Sequence, residues 1–213
     1  MERKRSDEKS TKRRAPSGAA VFQEEVTRAL ASALFAEWAR CGYAALSLEA
    51  VAKRAGVGKA ALYRRWPSKL AMVSELLSEV GTELAVVPDR GSLREDLAEL
   101  LRQIRRVLRH PLIGRILPDL HAEMPRTPEL AQAVRTRVQV QRRKRAEIVL
   151  KRAIERGELA PTLDLDLATD LLGGMLYWRI VITRGRADEA YMERLLDLTL
   201  AALTASPASS KRP

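Results

Sequence analysis

Cysteine and histidine are nearly missing from this sequence. Cys41 is the lone cysteine, and 213 residues hold only two histidines. One cysteine excludes an intrachain disulfide, which agrees with a reducing compartment. The same scarcity leaves little material for general acid–base or covalent catalysis. No nucleophile–base–acid set and no phosphate-cradling glycine loop is present, so an enzyme is not expected. Aromatic residues make up 4% of the chain, and runs of β-branched residues are short, which argues against a sheet protein. No stretch reaches the roughly 18 apolar residues that a membrane span requires. The N-terminus is too charged, and too poor in apolar residues, for a secretory signal. The expectation is a cytoplasmic protein with no membrane partner.

What the sequence does contain is helix-forming and basic. Alanine, leucine, arginine and glutamate dominate. Hydrophobic residues at 46% and charged residues at 31% suit a folded, globular chain. Lysine and arginine outnumber acids 38 to 27, giving a net charge of +11. A chain this basic is expected to meet a polyanion. Nucleic acid and an acidic membrane surface both qualify, and charge alone does not choose between them.

Residues 1–19 read as a disordered basic arm, with seven lysines and arginines and almost nothing apolar. Such an arm could reach DNA phosphates or the minor groove, or remain a solvated tail. A helix is predicted over 21–40 from Val26, Leu30, Ala33, Leu34 and Trp38, with Gly42 as its stop. Ser47 is the next N-cap and Gly56 the next stop. Gly58 opens a short helix that Pro67 breaks, and Ser68 caps a helix running to about residue 84. Residues 87–92 are the best linker candidate, rich in proline, glycine and serine. Beyond it, helices are predicted over 92–109, 112–123, 127–156, 164–184 and 187–204, and the tail 206–213 reads as disordered.

The informative segment is Ser47 to Lys69. It reads as two short helices joined by a tight turn. Leu48, Val51, Ala52 and Ala55 form one apolar face. Gly56 supplies the left-handed turn, and Val57 plugs the space between the helices. In the second helix Leu62 and Trp66 lie four apart and face inward. That leaves Lys59, Ala60, Ala61, Tyr63, Arg64 and Arg65 on or near the outer face. Small side chains at Ala60 and Ala61 let the backbone approach base edges, and a methyl can touch thymine. Lys59 sits near the helix start, where bases are read. Tyr63, Arg64 and Lys69 are suited to phosphates.

The stretch Leu30 to Tyr43 and Leu46 to Lys69 closely resembles the DNA-binding domain of the tetracycline-repressor (TetR) family. The Gly42-Tyr43 pair, the Ala-Gly-Val turn at residues 55–57, Leu62-Tyr63 and the aromatic-Pro-Ser-Lys ending at residues 66–69 carry the resemblance. It covers about residues 24–84. It implies that Ser47 opens the helix crossing the phosphates, and that Tyr63 and Lys69 contact the backbone. Gly58 departs from a common serine, Ala61 from a common threonine or serine, and Trp66 from a common phenylalanine. Two lost hydroxyls shift base reading toward Lys59, Arg64 and methyl contacts.

The C-terminal half is similar to one subgroup of these regulators through residues 156–159, 164–166, Gly173, Tyr177 and Trp178. The resemblance implies an all-α chain: an N-terminal three-helix helix-turn-helix domain (residues 20–86) and a C-terminal ligand-binding and dimerisation domain (residues 87–205). It further implies a homodimer, a double-stranded DNA operator of near-palindromic sequence and an unidentified small-molecule effector; no cofactor is expected, and no metal, because no histidine or cysteine stands at metal-ligand spacing. Candidate effector-pocket residues are Leu117, His121, Met124, Met175, Tyr177 and Trp178. Adjacent on a helix, Tyr177 and Trp178 cannot both face one pocket. Asp164, Asp166 and Asp170 are read as helix-start acids rather than a cation site, and the basic run of residues 142–145 as a solvated face. The competing reading is a basic nucleoid- or membrane-associated helical protein with no sequence preference.

Overall fold

The computed structural model describes residues 18–83 and 87–205, with side chains at 25–78 and 87–205. The expected arm lies outside this range except for Gly18 and Ala19, which open the first helix; the expected tail lies outside it altogether. No strand occurs among the described residues.

Helix α1 (Gly18–Ala45) buries Leu30, Ala33, Leu34 and Trp38, the three-and-four spacing that predicted it. It does not stop at Gly42. Gly42 takes φ 77 and kinks the helix, which resumes as far as Ala45. That φ is one an L-side chain rarely adopts, and a Cβ would also lie 2.8 Å from Asp119 Oδ1. Helices α2 (Leu48–Ala55), α3 (Lys59–Arg65) and α4 (Lys69–Glu83) follow closely. Ser47 caps α2 by accepting the Ala50 N–H at 3.4 Å. Gly56, at φ 67, ends it.

After the linker come α5 (Leu93–Leu108), α6 (Ile113–Glu123) and α7 (Pro128–Ala133). A π-helical stretch, Val134–Gln139, joins α7 to α8 (Val140–Glu155), so the long helix expected over 127–156 is present with a widened middle. Helix α9 (Leu165–Tyr177) likewise ends in a π-helical stretch, Trp178–Ile182, and α10 is Glu189–Thr204. Asp164 caps α9 by accepting the Leu167 N–H at 3.0 Å. Asp166 and Asp170 pair with Arg143 at 2.8 and 2.7 Å.

Two apolar cores result. One gathers Leu97, Leu101, Val149, Leu150, Leu172 and Leu176 from α5, α8 and α9, with Leu195 and Leu196 of α10. The other centres on Leu34, Trp38, Val51, Leu62, Trp66 and Val73 of the first four helices. It also takes Ile116 and Leu120 from α6, Leu130 from α7 and Val134 from the π-helical stretch. Leu117 packs against both cores. Helix α6 is therefore shared between the two cores.

Candidate nucleic-acid interface

Several contacts set the pose of α2 and α3. The Glu37 carboxylate is buried against α1 and accepts from Arg40 on its own helix and from Arg54 on α2, each at 2.7 Å. The arginines hold its carboxyl below the usual range by hydrogen bonding, against the opposing effect of burial. Leu62 and Trp66 are each 1% exposed, so α3 faces inward along that edge. The Trp66 Nε1–H donates to Glu75 of α4 at 2.9 Å. Arg65 stacks 4.4 Å from the Trp66 ring centre, pairs with Glu75 and donates to Thr27. Arg65 therefore braces α3 against α1 and α4.

With that edge fixed, Gly58, Lys59, Ala60, Ala61, Tyr63 and Arg64 all lie exposed on the other side. Arg64 has no hydrogen-bond or ion-pair partner among the described residues. Gly58 occupies the N-cap of α3 with φ −63 and no side-chain bond, and a Cβ there would meet nothing within 4 Å. Nothing in the local geometry demands glycine, so the missing cap is a matter of chemistry and not of space.

Glu49, in the first turn of α2, also takes part. Its carboxylate pairs with Lys59 Nζ at 2.8 Å, accepts from the Tyr63 hydroxyl at 2.8 Å and accepts from Ser47 Oγ at 2.9 Å. Three of the expected DNA-facing residues thus converge on one acid. Lys59 first, then Tyr63, hold its carboxyl well down, at about 2. In return the carboxylate raises the pKa of Lys59 and of Tyr63. The lysine ammonium also sits 5.8 Å from the Tyr63 ring centre. No sequence spacing would reveal this, because the three helical positions meet only after the turn at Gly56 brings α3 back beside α2.

Lys69 is placed differently from a free phosphate-seeking lysine. Its ammonium donates to the carbonyls of Tyr43 and Ala44 at 2.7 and 3.1 Å and lies 4.4 Å from the Tyr43 ring centre. It caps the end of α1, where helix carbonyls lack partners and a cation is favoured.

The same helix end is gripped from the C-terminal half. Asp119 Oδ2 on α6 accepts the Trp38 Nε1–H at 2.6 Å and the Tyr43 N–H at 2.8 Å. Two residues further along α6, His121 Nδ1 is 2.8 Å from the Tyr177 hydroxyl of α9, with the rings edge to face. Of the six expected pocket residues, His121, which is exposed, and Tyr177 are in direct contact, while Leu117, one turn earlier on α6, packs against the two apolar cores. Met124 packs on the N-terminal core. Met175 and Trp178 are 47% and 60% exposed and lie on the outward face of α9. With Leu176 fully buried and Tyr177 half-buried beside it, the helical turn sends Met175 and Trp178 outward.

Residues 30–76 match the profile of bacterial regulatory proteins of the tetR family, and residues 87–199 match that of the tetracyclin repressor-like C-terminal domain. The chain belongs to the TetR family. It is 34% identical to an uncharacterised HTH-type transcriptional regulator of Mycobacterium bovis, over 78% of this chain and 81% of that protein. It is 31% identical to the DNA-binding transcriptional repressor TetR of Mycobacteroides abscessus, over 77% of this chain and 86% of that one. The crystal structure of the TetR family transcription regulator SCO0332 shares 32% identity and superposes with a TM-score of 0.66, covering 86% of this chain and all of its own. The protein is thus a DNA-binding transcriptional regulator of helix-turn-helix type, and its relatives are regulators and not enzymes. Among the described residues no helix is long and apolar enough to cross a membrane, and no cluster of three or more His, Cys, Asp or Glu could hold a metal.

Proposed function

We propose that this TetR-family chain is a repressor that binds a near-palindromic operator as a homodimer and is released by a small molecule bound in its C-terminal half. The observation that carries the proposal is the division of α3 into a buried edge, Leu62 and Trp66, and an exposed basic edge free of large apolar side chains except Tyr63. Lys59 is the base-reading residue, aided by the methyl groups of Ala60 and Ala61. Ser47, Gly58, Tyr63 and Arg64 approach phosphates, Gly58 through its backbone. Lys69 has two of its three protons engaged by carbonyls, which leaves one for the DNA backbone.

A single α3 reads too few base pairs for useful selectivity, so two copies are needed. Leu167, Leu171, Met175, Trp178 and Ile182 recur at three-and-four spacing along α9, and Leu198 is 67% exposed on α10. A stripe of this kind on a soluble chain supports a covered, two-fold seam between protomers. Leu117, His121 and Tyr177 line the effector region, with Met124 at its edge toward the N-terminal core. An effector wedged between His121 and Tyr177 shifts α6, and Asp119 carries that shift to the end of α1. Only a difference in effector affinity between the two arrangements can drive release.

Binding-site selection with Lys59→Ala and Lys69→Ala variants tests the assignment of roles. Lys59→Ala should change which bases are tolerated. Lys69→Ala should weaken every duplex alike and flatten the salt slope by about one unit. If Lys69→Ala alters base preference alone, the docking of α3 is wrong.

A further inference from the structure

Away from α3 the molecule carries a second concentration of positive charge. Arg102, Arg105, Arg106 and Arg109 follow one another at three-and-four spacing where α5 ends, and so share one side of the helix. With His110 they line an open cavity of about 320 Å³. A neighbouring cavity of about 250 Å³ shares Arg109 and is bounded by Ile180 and the loop Arg184–Asp188 that precedes α10.

This loop is held in shape from beneath. The Gly185 N–H donates to the Arg179 carbonyl at 2.7 Å, and Arg179 Nε donates back to the Arg186 carbonyl at 3.0 Å. Arg105 donates to the Ala187 carbonyl at 3.2 Å and pairs with Glu189 at 2.6 Å. A Cβ at position 185 would lie 2.6 Å from Arg179 Nε, so only glycine lets that arginine pass. Arg184 takes a left-handed backbone, φ 51, the one such non-glycine residue among those described.

Arg102 and Arg105 have acidic partners, Glu99 and Glu189. Arg106, Arg109, Arg184 and Arg186 pair with no acid among the described residues. Like charges one helical turn apart oppose helix formation. The C-terminal dipole of α5 offsets this for Arg106 and Arg109. It does nothing for Arg184 and Arg186, which come from another element and line the adjoining cavity together with Arg109 and Asp188. Guanidinium forks bind phosphate oxygens in pairs, and several together match a group carrying several negative charges. The cavity size suits a small molecule.

We propose that this cleft between the end of α5 and the loop before α10 binds a small polyphosphorylated anion, at a site separate from both the DNA interface and the His121–Tyr177 region. The test is isothermal titration calorimetry of the full chain with sodium tripolyphosphate, at ionic strength held constant with sodium chloride. Saturable binding of one anion per chain is expected. An Arg106→Ala/Arg109→Ala double variant should bind about ten-fold or more weakly, the loss expected for one or two charge-assisted hydrogen bonds. Arg109→Lys keeps the charge without the fork, and should also bind more weakly while retaining the wild-type circular dichroism spectrum. Lys59→Ala/Arg64→Ala and the charge-matched Arg126→Ala/Arg137→Ala variants should bind as wild type. Absence of saturable binding, full affinity in the Arg106/Arg109 or Arg109→Lys variants, loss with the Lys59/Arg64 pair, or equal loss with the Arg126/Arg137 pair would each overturn the proposal.

Discussion

Asp119 is the position at which substitution should report most clearly on how the two halves are joined. One oxygen of its carboxylate accepts both the Trp38 indole N–H and the Tyr43 amide. Trp38 is 1% exposed, so its N–H has no water to turn to when the carboxylate is removed. Hydrogen bonds to a charged acceptor contribute about 1.5–3 kcal/mol each, and two on one oxygen are not fully additive. Asp119→Ala should therefore cost roughly 3–4 kcal/mol. Asp119→Asn keeps an oxygen in place but removes the charge, and charge-assisted bonds are about twice as strong as neutral ones. Its cost should be about half as large, roughly 1.5–2 kcal/mol. For a chain of this length each kcal/mol moves the melting temperature by about 2–4 °C. Thermal denaturation at one fixed protein concentration should then show a drop of roughly 6–16 °C for alanine and roughly 3–8 °C for asparagine. Asparagine should also retain DNA binding at low temperature while responding less to effector, because the grip on α1 is weakened and not lost. Equal melting temperatures for wild type and Asp119→Ala would refute the reasoning. So would an asparagine variant as unstable as the alanine one, which would mean that the retained oxygen contributes nothing and the charge carries the whole effect.

The remaining predictions concern the DNA face and the seam. Glu49→Gln should leave one more uncompensated positive charge at the DNA face and steepen the logarithmic salt dependence of DNA binding by about 0.9, so that the affinity loss between 50 and 200 mM salt grows about three-fold; an unchanged or shallower slope in a fluorescence anisotropy series counts against charge neutralisation by Glu49. The carboxyl of Glu49 is depressed from 4.5 to about 2, chiefly by Lys59 and Tyr63, so its pairing is complete above pH 4.5 and is lost only as pH falls toward 2. The salt slope of wild type should consequently be the same at pH 5.5 and pH 8 to the extent that Glu49 sets it. Gly58→Ser places a capping hydroxyl in open space and should stabilise α3 by a few tenths of a kcal/mol while tightening DNA binding, measured by denaturation and anisotropy together. Trp178→Asp should weaken dimerisation by about 2 kcal/mol or more, since a large exposed aromatic at a seam is the usual centre of its energetics; light scattering that finds an unaltered dimer would remove Trp178 from the interface.

Local features were legible in the sequence, and features that depend on distant partners were not. The inward edge of α3 follows from Leu62 and Trp66 standing one turn apart, and the turn before it from Gly56. Asp164 and Ser92 were readable as helix starts because a cap acts on amides only three residues away. Gly42 shows the limit. A glycine after an apolar helical pattern reads as a helix stop, but here it permits a kink that lets α6 press Asp119 against the backbone. The pairing of Asp119 with Trp38 spans 81 residues, and the meeting of Glu49 with Lys59 and Tyr63 depends on the angle between two helices. Neither leaves a periodic mark. Lys69 carried the right charge in the right place, yet its capping of α1 needed the kinked helix end to be known first. Met175 and Trp178 were pocket candidates under the family resemblance, and the rotation of α9 set by Leu172 and Leu176 turns them outward.

The central claim is that the exposed edge of α3 reads sequence and does not merely attract phosphate. The most direct measurement is selection of duplexes from a random library by the full chain, followed by titration of the selected and a scrambled duplex over several salt concentrations. The account predicts enrichment of an inverted repeat, with half-sites one helical turn apart or a multiple of it, bound about 10³-fold or more tightly than the scrambled duplex. Equal affinity for the two duplexes at every salt concentration would contradict it and leave a basic helical protein with no sequence preference.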